Sequence, residues 1–233
     1  MKLLAFDTST EWCSVAVGDG VYWHGRDERV GQGHAERLLA MIDAALREAG
    51  CGLRDIEAIA FGAGPGSFTG VRIGCGVAQG LALGAKLPVV PVPTLAAMAQ
   101  EVFRTRGDRF VLACLDARMR EVYVAAYAHN CDLWREVAAP SVVPPAEVML
   151  PSGANPPEWT GAGNGFTAYP ALAAQLGLTR LDADARPTAQ AIGELALPRL
   201  RAGEGVAAAA ALPLYVRHRV ALTTSEREAG LKL

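Results

Sequence analysis

The stretch Gly64-Pro65-Gly66-Ser67-Phe68-Thr69-Gly70-Val71-Arg72 carries the strongest local signal in this chain of 233 residues. It follows an apolar, strand-like segment at 56–61 and precedes an apolar, helix-like segment at 71–85. Three glycines and one proline within seven residues impose a tight backbone path, and a helix start leaves backbone amides unpaired. Such a loop either binds an anion or lets two backbones approach closely. The sequence leaves both interpretations open.

Patterns on either side of this loop predict one α/β lobe within residues 1–105. Its first three strands are joined by short turns, and Asp19-Gly20 is a strong hairpin signal, so we expect an antiparallel meander. Helical periodicity follows, with Leu39 assigned to the buried face. The predicted elements are strands at 3–7, 13–17 and 21–30, a helix at 34–49, a strand at 56–61, a helix at 71–85, a strand at 88–92 and a helix at 95–104. This is the order of the ribonuclease-H-like unit.

The chain then begins a second, similar unit. An apolar run at 110–116 ends in aspartate and is followed by a polar turn at 117–120 and a returning strand at 121–127, as at the N-terminus. Asp116 is therefore the predicted counterpart of Asp7. The rest is less regular, with six prolines in 140–157. It is predicted to contain a loop at 161–165, a helix at 188–201, a short ordered segment at 212–216 and a frayed or surface-lying tail at 221–233.

These observations predict an α/β fold of the two-lobed actin-like or Hsp70-like type, built from duplicated ribonuclease-H-like units. The first lobe is 1–105 and the more irregular second lobe is 106–233. The formal net charge of −2 and the pI near 6.1 give no general attraction to nucleic acid. No run approaches the ~20 apolar residues of a membrane span, and Asp7 interrupts the segment where a signal peptide would be apolar. We expect a cytoplasmic protein.

Motifs for metal or nucleophilic chemistry are weak. The histidines His24, His34, His129 and His218 are far apart, and the five cysteines form no C-x-x-C pair, so the cysteines are expected to be small buried hydrophobes. Ser67 is not in a G-x-S-x-G elbow, and a capping role is expected for it. We predict no catalytic residue, no metal site and no cofactor.

An anion site between the lobes is the remaining candidate. In nucleotide-binding members of this fold, an aspartate at the end of the first strand holds a magnesium–phosphate complex. The loop, however, matches neither G-x-x-x-x-G-K-[ST] nor G-x-G-x-x-G, and the turn after Asp116 carries Arg118 and Arg120 instead of glycine. The prediction is a vestigial anion or nucleotide cleft formed by Asp7, Ser9, Gly66, Ser67, Arg72 and Asp116.

The helix at 71–85 carries a stripe of glycines at 70, 74, 76, 80 and 84. Each glycine inside a helix costs ~1 kcal/mol relative to alanine, so several on one side indicate close contact with another element. That element is either the chain's own sheet or a helix of a partner protein. Both interpretations stay open.

The chain resembles the TsaB family, formerly called YeaZ, along its whole length. The motifs that carry the resemblance are Asp7-Thr8-Ser9-Thr10, GPGSFTGVRIG at 64–74, Asp116-Ala117-Arg118 with Glu121-Val122-Tyr123, and Pro213-Leu214-Tyr215-Val216-Arg217. The resemblance implies a non-catalytic subunit that supports TsaD, a paralogue of the same fold, in threonylcarbamoyl-adenosine modification of tRNA. It also implies a TsaE-type ATPase as third component and a surface that can support a homodimer when TsaD is absent. Because the chain's charge gives no general attraction to nucleic acid, tRNA contact is expected through the complex.

The resemblance further implies that the helices at 34–49 and 71–85 form the TsaD-binding surface. By position, the interface residues are His34, Arg37, Leu38, Met41, Ala45, Val71, Gly74, Val77, Ala78 and Leu81. The alternative function is an ATP-dependent small-molecule kinase of the same fold. It needs a second phosphate-binding turn and a cleft base, for which Asp116 is the only obvious candidate. A metalloprotease, the third reading, lacks a suitable histidine pair.

Overall fold

The computed structural model describes residues 1–130 and 133–217. The first lobe contains β1 Leu3–Asp7, β2 Trp12–Gly18, β3 Trp23–Arg29, α1 His34–Glu48, β4 Ala58–Gly64, α2 Phe68–Ala85, β5 Val89–Pro93 and α3 Thr94–Arg106. Its sheet has the order β3-β2-β1-β4-β5. The first three strands pair antiparallel, while β4 and β5 run parallel to β1. The predicted meander and the ribonuclease-H-like order are confirmed.

The second sheet repeats the strand arrangement of the first. Its elements are β6 Phe110–Arg118, β7 Glu121–Asn130, β8 Leu133–Val143, β9 Thr160–Ala162, α4 Gly165–Ala168, α5 Ala171–Gln175, β10 Arg180–Asp182 and α6 Ala189–Arg201. The order is β10-β9-β6-β7-β8. Like β1, β6 lies between an antiparallel and a parallel neighbour. Asp116 near the end of β6 therefore corresponds to Asp7 at the end of β1, as predicted.

Two helices connect the lobes. The helix α6 packs on the first sheet, where Ile192, Ala196 and Leu197 join the same buried cluster as Leu3 and Ala5. The helix α3 lies between the sheets and packs against β6 and β7 of the second. A boundary at residue 105 therefore divides the strands correctly between the two sheets. It does not divide the helices correctly, because α6, at 189–201, packs on the first sheet.

The sequence missed β8. Its side chains are mostly exposed or half-buried, so the apolar alternation that marks a strand is weak. Pro140 is tolerated because β8 is an edge strand with β7 as its one neighbour in the sheet. The proline-rich region beyond it contains two short 3₁₀ turns, Pro145–Glu147 and Pro156–Glu158. The predicted loop at 161–165 was partly wrong, because Gly161 and Ala162 belong to β9.

The helix α1 buries one face against the first sheet, but Leu39 does not belong to that face. Leu38, Ile42 and Ala45 are buried, whereas Leu39 is 55% exposed. Its assignment to the core was wrong, because the residue lies one position, about 100° of helix rotation, beyond Leu38. This leaves an apolar side chain on the outer side of the helix.

The cysteines in the described part of the chain are free thiols: Cys13, Cys75 and Cys114 are buried, as predicted, and Cys51 is half-buried. Cys131, His218 and the predicted tail at 221–233 lie outside the described residues. Across residues 1–130 and 133–217, no helix has the length and apolarity needed to cross a membrane.

Candidate functional site

The glycine-rich stretch is the junction between β4 and α2. The strand ends at Gly64, and Ser67 caps a helix that begins at Phe68, three residues earlier than the sequence predicted. The Ser67 hydroxyl accepts a hydrogen bond from the Gly70 amide at 3.3 Å, so its predicted capping role is confirmed. The connecting loop consists of Pro65, Gly66 and the capping Ser67.

This junction packs directly against the turn that follows β1. The Ser67 amide donates to the Ser9 carbonyl at 2.7 Å, and the Thr8 hydroxyl donates to the Gly70 carbonyl at 2.7 Å. A Cβ atom on Gly70 would overlap the Thr8 carbonyl oxygen, and one on Gly66 would overlap the Ser9 carbonyl oxygen. Of the two interpretations of this stretch, the geometry favours close backbone approach over an open anion cradle.

Asp7 lies inside the core, not in the cleft where the sequence placed it. The residue is 1% exposed, and its carboxyl group accepts hydrogen bonds from the amide and hydroxyl of Ser9, at 2.9 and 2.8 Å. Gly62 lies against it, and any side chain there would overlap the carboxyl oxygen. Burial raises the pKa of Asp7 to about 7, and the hydrogen bonds from Ser9 oppose part of that rise. A carboxyl group in this position is closed to a magnesium–phosphate complex.

A cavity of about 410 Å³ lies between the two lobes. Four of the six predicted cleft residues line it, namely Ser9, Gly66 and Ser67 from the first lobe and Asp116 from the second. Asp7 and Arg72 are not part of its lining. The structure therefore brings together four predicted residues and separates the two that would contribute most to binding magnesium and phosphate.

The carboxylate of Asp116 is engaged by Arg118, which ends β6 and begins the turn to β7. This carboxylate accepts a hydrogen bond from the Arg118 amide at 2.9 Å and lies 3.2 Å from the Arg118 guanidinium, while the Asp116 amide donates to Asn164. Arg118, Met119 and Arg120 have φ values of 61°, 53° and 62°. The left-handed region costs such residues about 1 kcal/mol each, so surrounding contacts must hold this turn.

A C-terminal segment supplies those contacts. The sequence predicted a short ordered segment at 212–216 but not its contacts with both lobes. We call residues 211–217 the interlobe strap. At one end the Leu214 amide donates to the Ala63 carbonyl at 2.7 Å, on the first lobe. At the other, the Arg217 guanidinium bonds the Glu121 carboxylate at 2.7 Å and the Ala117 carbonyl at 3.0 Å, on the second. The strap thus spans the two lobes beside the cavity.

Arg72 lies outside the interlobe cavity, contrary to the prediction. It lines a second cavity of about 380 Å³, beside the strap. Its guanidinium carbon lies 3.2 Å from the ring centroid of Phe68 and 5.2 Å from that of Tyr215. The observed role of Arg72 is a cation–π stack on the surface.

Most of the predicted interface residues face inward. Of the ten, only Arg37 is exposed, and it pairs with Glu28 at 2.7 Å. Val77 and Leu81 are half-buried. The others pack within the first lobe and offer no outer surface in this state: His34, Leu38, Met41, Ala45, Val71, Gly74 and Ala78.

The glycine stripe of α2 divides between two faces. Gly70 and Gly74 point inward, where an added Cβ on Gly74 would lie 2.6 Å from the Thr8 hydroxyl. Gly76, Gly80 and Gly84 have nothing within 4 Å of an added Cβ. Close intramolecular packing therefore explains the first pair only. The other three lie on an open face of the helix, next to the exposed Leu83.

The described residues contain no cluster of three or more histidine, cysteine or acidic side chains suited to hold a metal ion. His34 is instead near the Trp12 carbonyl, with its Nε2 atom 3.2 Å from that oxygen. His129 stacks on Phe103, with ring centroids 3.9 Å apart. The contacts of these two histidines are therefore with the chain's own backbone and aromatic side chains.

Comparison with known proteins identifies the family. Residues 28–223 match the family model described as "TsaD: tRNA N6-adenosine threonylcarbamoyltransferase". The curated "tRNA threonylcarbamoyladenosine biosynthesis protein TsaB" of Escherichia coli K12 is 41% identical over 95% of this chain and 96% of its own length. The protein of the same name from Haemophilus influenzae is 38% identical over 94% and 95%.

Solved structures agree with the sequence relatives. YeaZ from Pseudomonas aeruginosa superimposes with a TM-score of 0.84 at 42% identity, covering 92% of this chain and 99% of its own. A second Pseudomonas aeruginosa structure, described as an uncharacterized protein with similarity to peptidase YEAZ, gives a TM-score of 0.85 at 42% identity, covering 93% and 99%. With these matches spanning nearly the whole sequence and both lobes, the chain belongs to the TsaB (YeaZ) family.

Proposed function

We propose that this chain is a cytoplasmic, non-catalytic subunit that binds a TsaD-type paralogue and supports threonylcarbamoyl-adenosine modification of tRNA. The observation that carries the proposal is the match to curated TsaB proteins over 95% of the chain, since those proteins are named for this biosynthesis. The match of the same chain to a TsaD family model supports a paralogous pair of similar fold.

The geometry of the predicted nucleotide cleft supports a subunit without its own turnover. Asp7 is enclosed in the core, and the Ser67 and Gly70 amides bond within the chain. Asp116, the one candidate base of a kinase, is paired with Arg118. These features do not favour the kinase alternative.

The outer face of α2 is the surface we assign to the partner. Gly76 and Gly80 expose helix backbone without side chains, so a second helix can approach closely. Leu83 on the same helix and Leu39 on α1 are 76% and 55% exposed and add apolar area. These residues replace the seven buried positions of the sequence-based interface. In the absence of the partner, a second copy of the chain would occupy the same surface.

The remaining partners follow from the same proposal. A TsaE-type ATPase joins the pair as third component. Contact with tRNA is made through the complex, because a net charge of −2 gives this chain little attraction for phosphate.

Titration of the purified chain with the TsaD-type protein of its own organism tests the proposal. We expect a stoichiometric complex by light scattering and calorimetry, and tRNA modification that depends on adding the chain. Gly80→Leu should abolish the complex, because the new side chain fills the close-approach face. Ala174→Leu, at an exposed position on α5, is the matched control and should bind normally. Absence of any complex between the two folded proteins would overturn the proposal.

A further inference from the structure

The guanidinium group of Arg72 lies over two aromatic rings on the surface. Its guanidinium carbon lies 3.2 Å from the centroid of Phe68 and 5.2 Å from that of Tyr215, and the two rings are 6.3 Å apart. Phe68 is 54% exposed and Tyr215 is 49% exposed. A cation stacked on rings keeps its N–H donors at the edge of the plane. The stack therefore fixes the orientation of the group without using its hydrogen-bond donors.

Most other arginines of the first lobe, and Arg217 of the strap, are instead held by carboxylates. Arg37 is held by the carboxylate of Glu28, and Arg217 by that of Glu121. Within residues 1–130 and 133–217, no carboxylate lies within ion-pair distance of Arg72. An oriented guanidinium with free donors matches a carboxylate from outside the chain, which it can bind through two parallel hydrogen bonds.

The position of the stack connects it to the partner surface. Phe68, Arg72, Gly76 and Gly80 follow one another at intervals of four residues, and all four are exposed. Residues with this spacing lie along one side of a helix. A partner that covers the glycines therefore extends toward Arg72. Arginine and aromatic side chains are also the types enriched among residues that dominate binding energy.

We propose that Arg72, oriented by Phe68 and Tyr215, is the docking point for an acidic side chain of the TsaD-type partner. This inference rests on the proposed function, since it names the chemistry of one contact on that surface. The partner's carboxylate would form a bidentate pair with the guanidinium at the end of the glycine face. Tyr215 belongs to the interlobe strap, so the strap contributes to positioning the contact.

Calorimetric titration with the TsaD-type protein at low and high salt tests the inference. Arg72→Met should weaken binding by about tenfold or more and reduce its salt dependence, because an ion pair is lost. Arg72→Lys keeps the charge but loses the planar guanidinium, so its affinity should lie between those of the wild type and Arg72→Met. Arg54→Met removes one exposed positive charge from the 3₁₀ turn Leu53–Asp55, before β4, and should bind as the wild type does. Thermal unfolding of each variant checks that it is folded.

The outcomes separate the inference from the proposed function. If Arg72→Met and Arg72→Lys bind as tightly as the wild type, with the same salt dependence, the inference is overturned while the complex stands. Normal binding with impaired tRNA modification would also overturn it and would assign Arg72 to RNA instead. If the wild-type chain forms no complex, the proposed function itself fails. Restored binding between Arg72→Glu and an acid-to-arginine variant of the partner would identify the acidic residue.

Discussion

The guanidinium of Arg217 lies 2.7 Å from the carboxylate of Glu121 and joins the end of the interlobe strap to the start of β7. The Arg217 side chain is only 9% exposed, and the same group donates to the carbonyl of Ala117. The pair thus holds the left-handed turn at 118–120, which borders the interlobe cavity, against a segment anchored on the other lobe. This contact links the turn to a segment that is also bonded to Ala63 of the first lobe.

Replacing Arg217 by methionine should destabilise the protein by about 1–3 kcal/mol, since it leaves a half-buried carboxylate and a carbonyl without their donor. Urea unfolding measures the loss, and faster amide exchange at 118–120 would locate it. Arg47→Met is the control, because its pair with Asp43 is exposed and such pairs contribute about 0.5 kcal/mol or less. Equal losses in the two variants would show that the Arg217–Glu121 contact contributes no more to stability than an exposed ion pair.

Two glycines of α2 should respond in opposite directions to alanine. Gly70→Ala places a methyl group against the Thr8 carbonyl, and we expect a loss of about 2 kcal/mol or more. Gly80→Ala adds a methyl group in open space and should raise stability by roughly 0.5–1 kcal/mol through helix propensity. The free energy of unfolding in denaturant measures both. Stabilisation by Gly70→Ala would contradict the close approach of the two backbones.

Asp7 should make stability depend on pH in an unusual sense. Burial raises its pKa from the ordinary 3.8 to about 7, so between these values the folded state keeps a proton that the unfolded state has lost. The free energy of unfolding contributed by this group therefore falls as pH rises through that window, by at most ~1.4 kcal/mol per pH unit, and levels off above it. Asp7→Asn should remove this slope, because asparagine is neutral and can still accept from Ser9.

The matched control for this measurement is Asp19→Asn. Asp19 is an exposed hairpin residue whose pKa is lowered by hydrogen bonds from the amides of Tyr22 and Val21. Its contribution therefore lies at lower pH and has the opposite sign, since stability is lost as pH falls through the lowered pKa. An Asp7→Asn variant whose pH profile matches that of the wild type would show that the buried carboxyl group stays ionised.

The sequence predicted the features that depend on local periodicity and missed those that depend on distant contacts. The antiparallel pairing of β2 with β3 and the cap at Ser67 depend on neighbouring residues and are confirmed, although β3 begins at Trp23 and not at 21 as predicted. The strap joins Arg217 to Glu121, which are 96 positions apart, and no local pattern marks such a pair. The burial of Asp7 likewise depends on residues that are distant in the sequence. Its place at a strand end was predicted, but its enclosure depends on Ser9, Gly62 and α6 packing around it.

Thr188 should stabilise the packing of α6 against the first sheet. Its hydroxyl accepts from the Ala191 amide at 3.3 Å as the cap of α6 and donates to the Glu101 carboxylate of α3 at 2.7 Å. Thr188→Ala removes both bonds at a position that is only 7% exposed, so we expect a loss of about 1–2 kcal/mol in urea unfolding. Thr188→Ser keeps the hydroxyl and should recover most of it.

Thr105 provides the comparison for Thr188, because it bonds the backbone carbonyl of the same Glu101 from an exposed site within α3. Thr105→Ala should change stability by less than about 0.5 kcal/mol. If Thr188→Ala and Thr105→Ala were equally mild, the cap would not hold α6, and the apolar contacts of Ile192 and Leu197 with the first sheet would fix the helix alone.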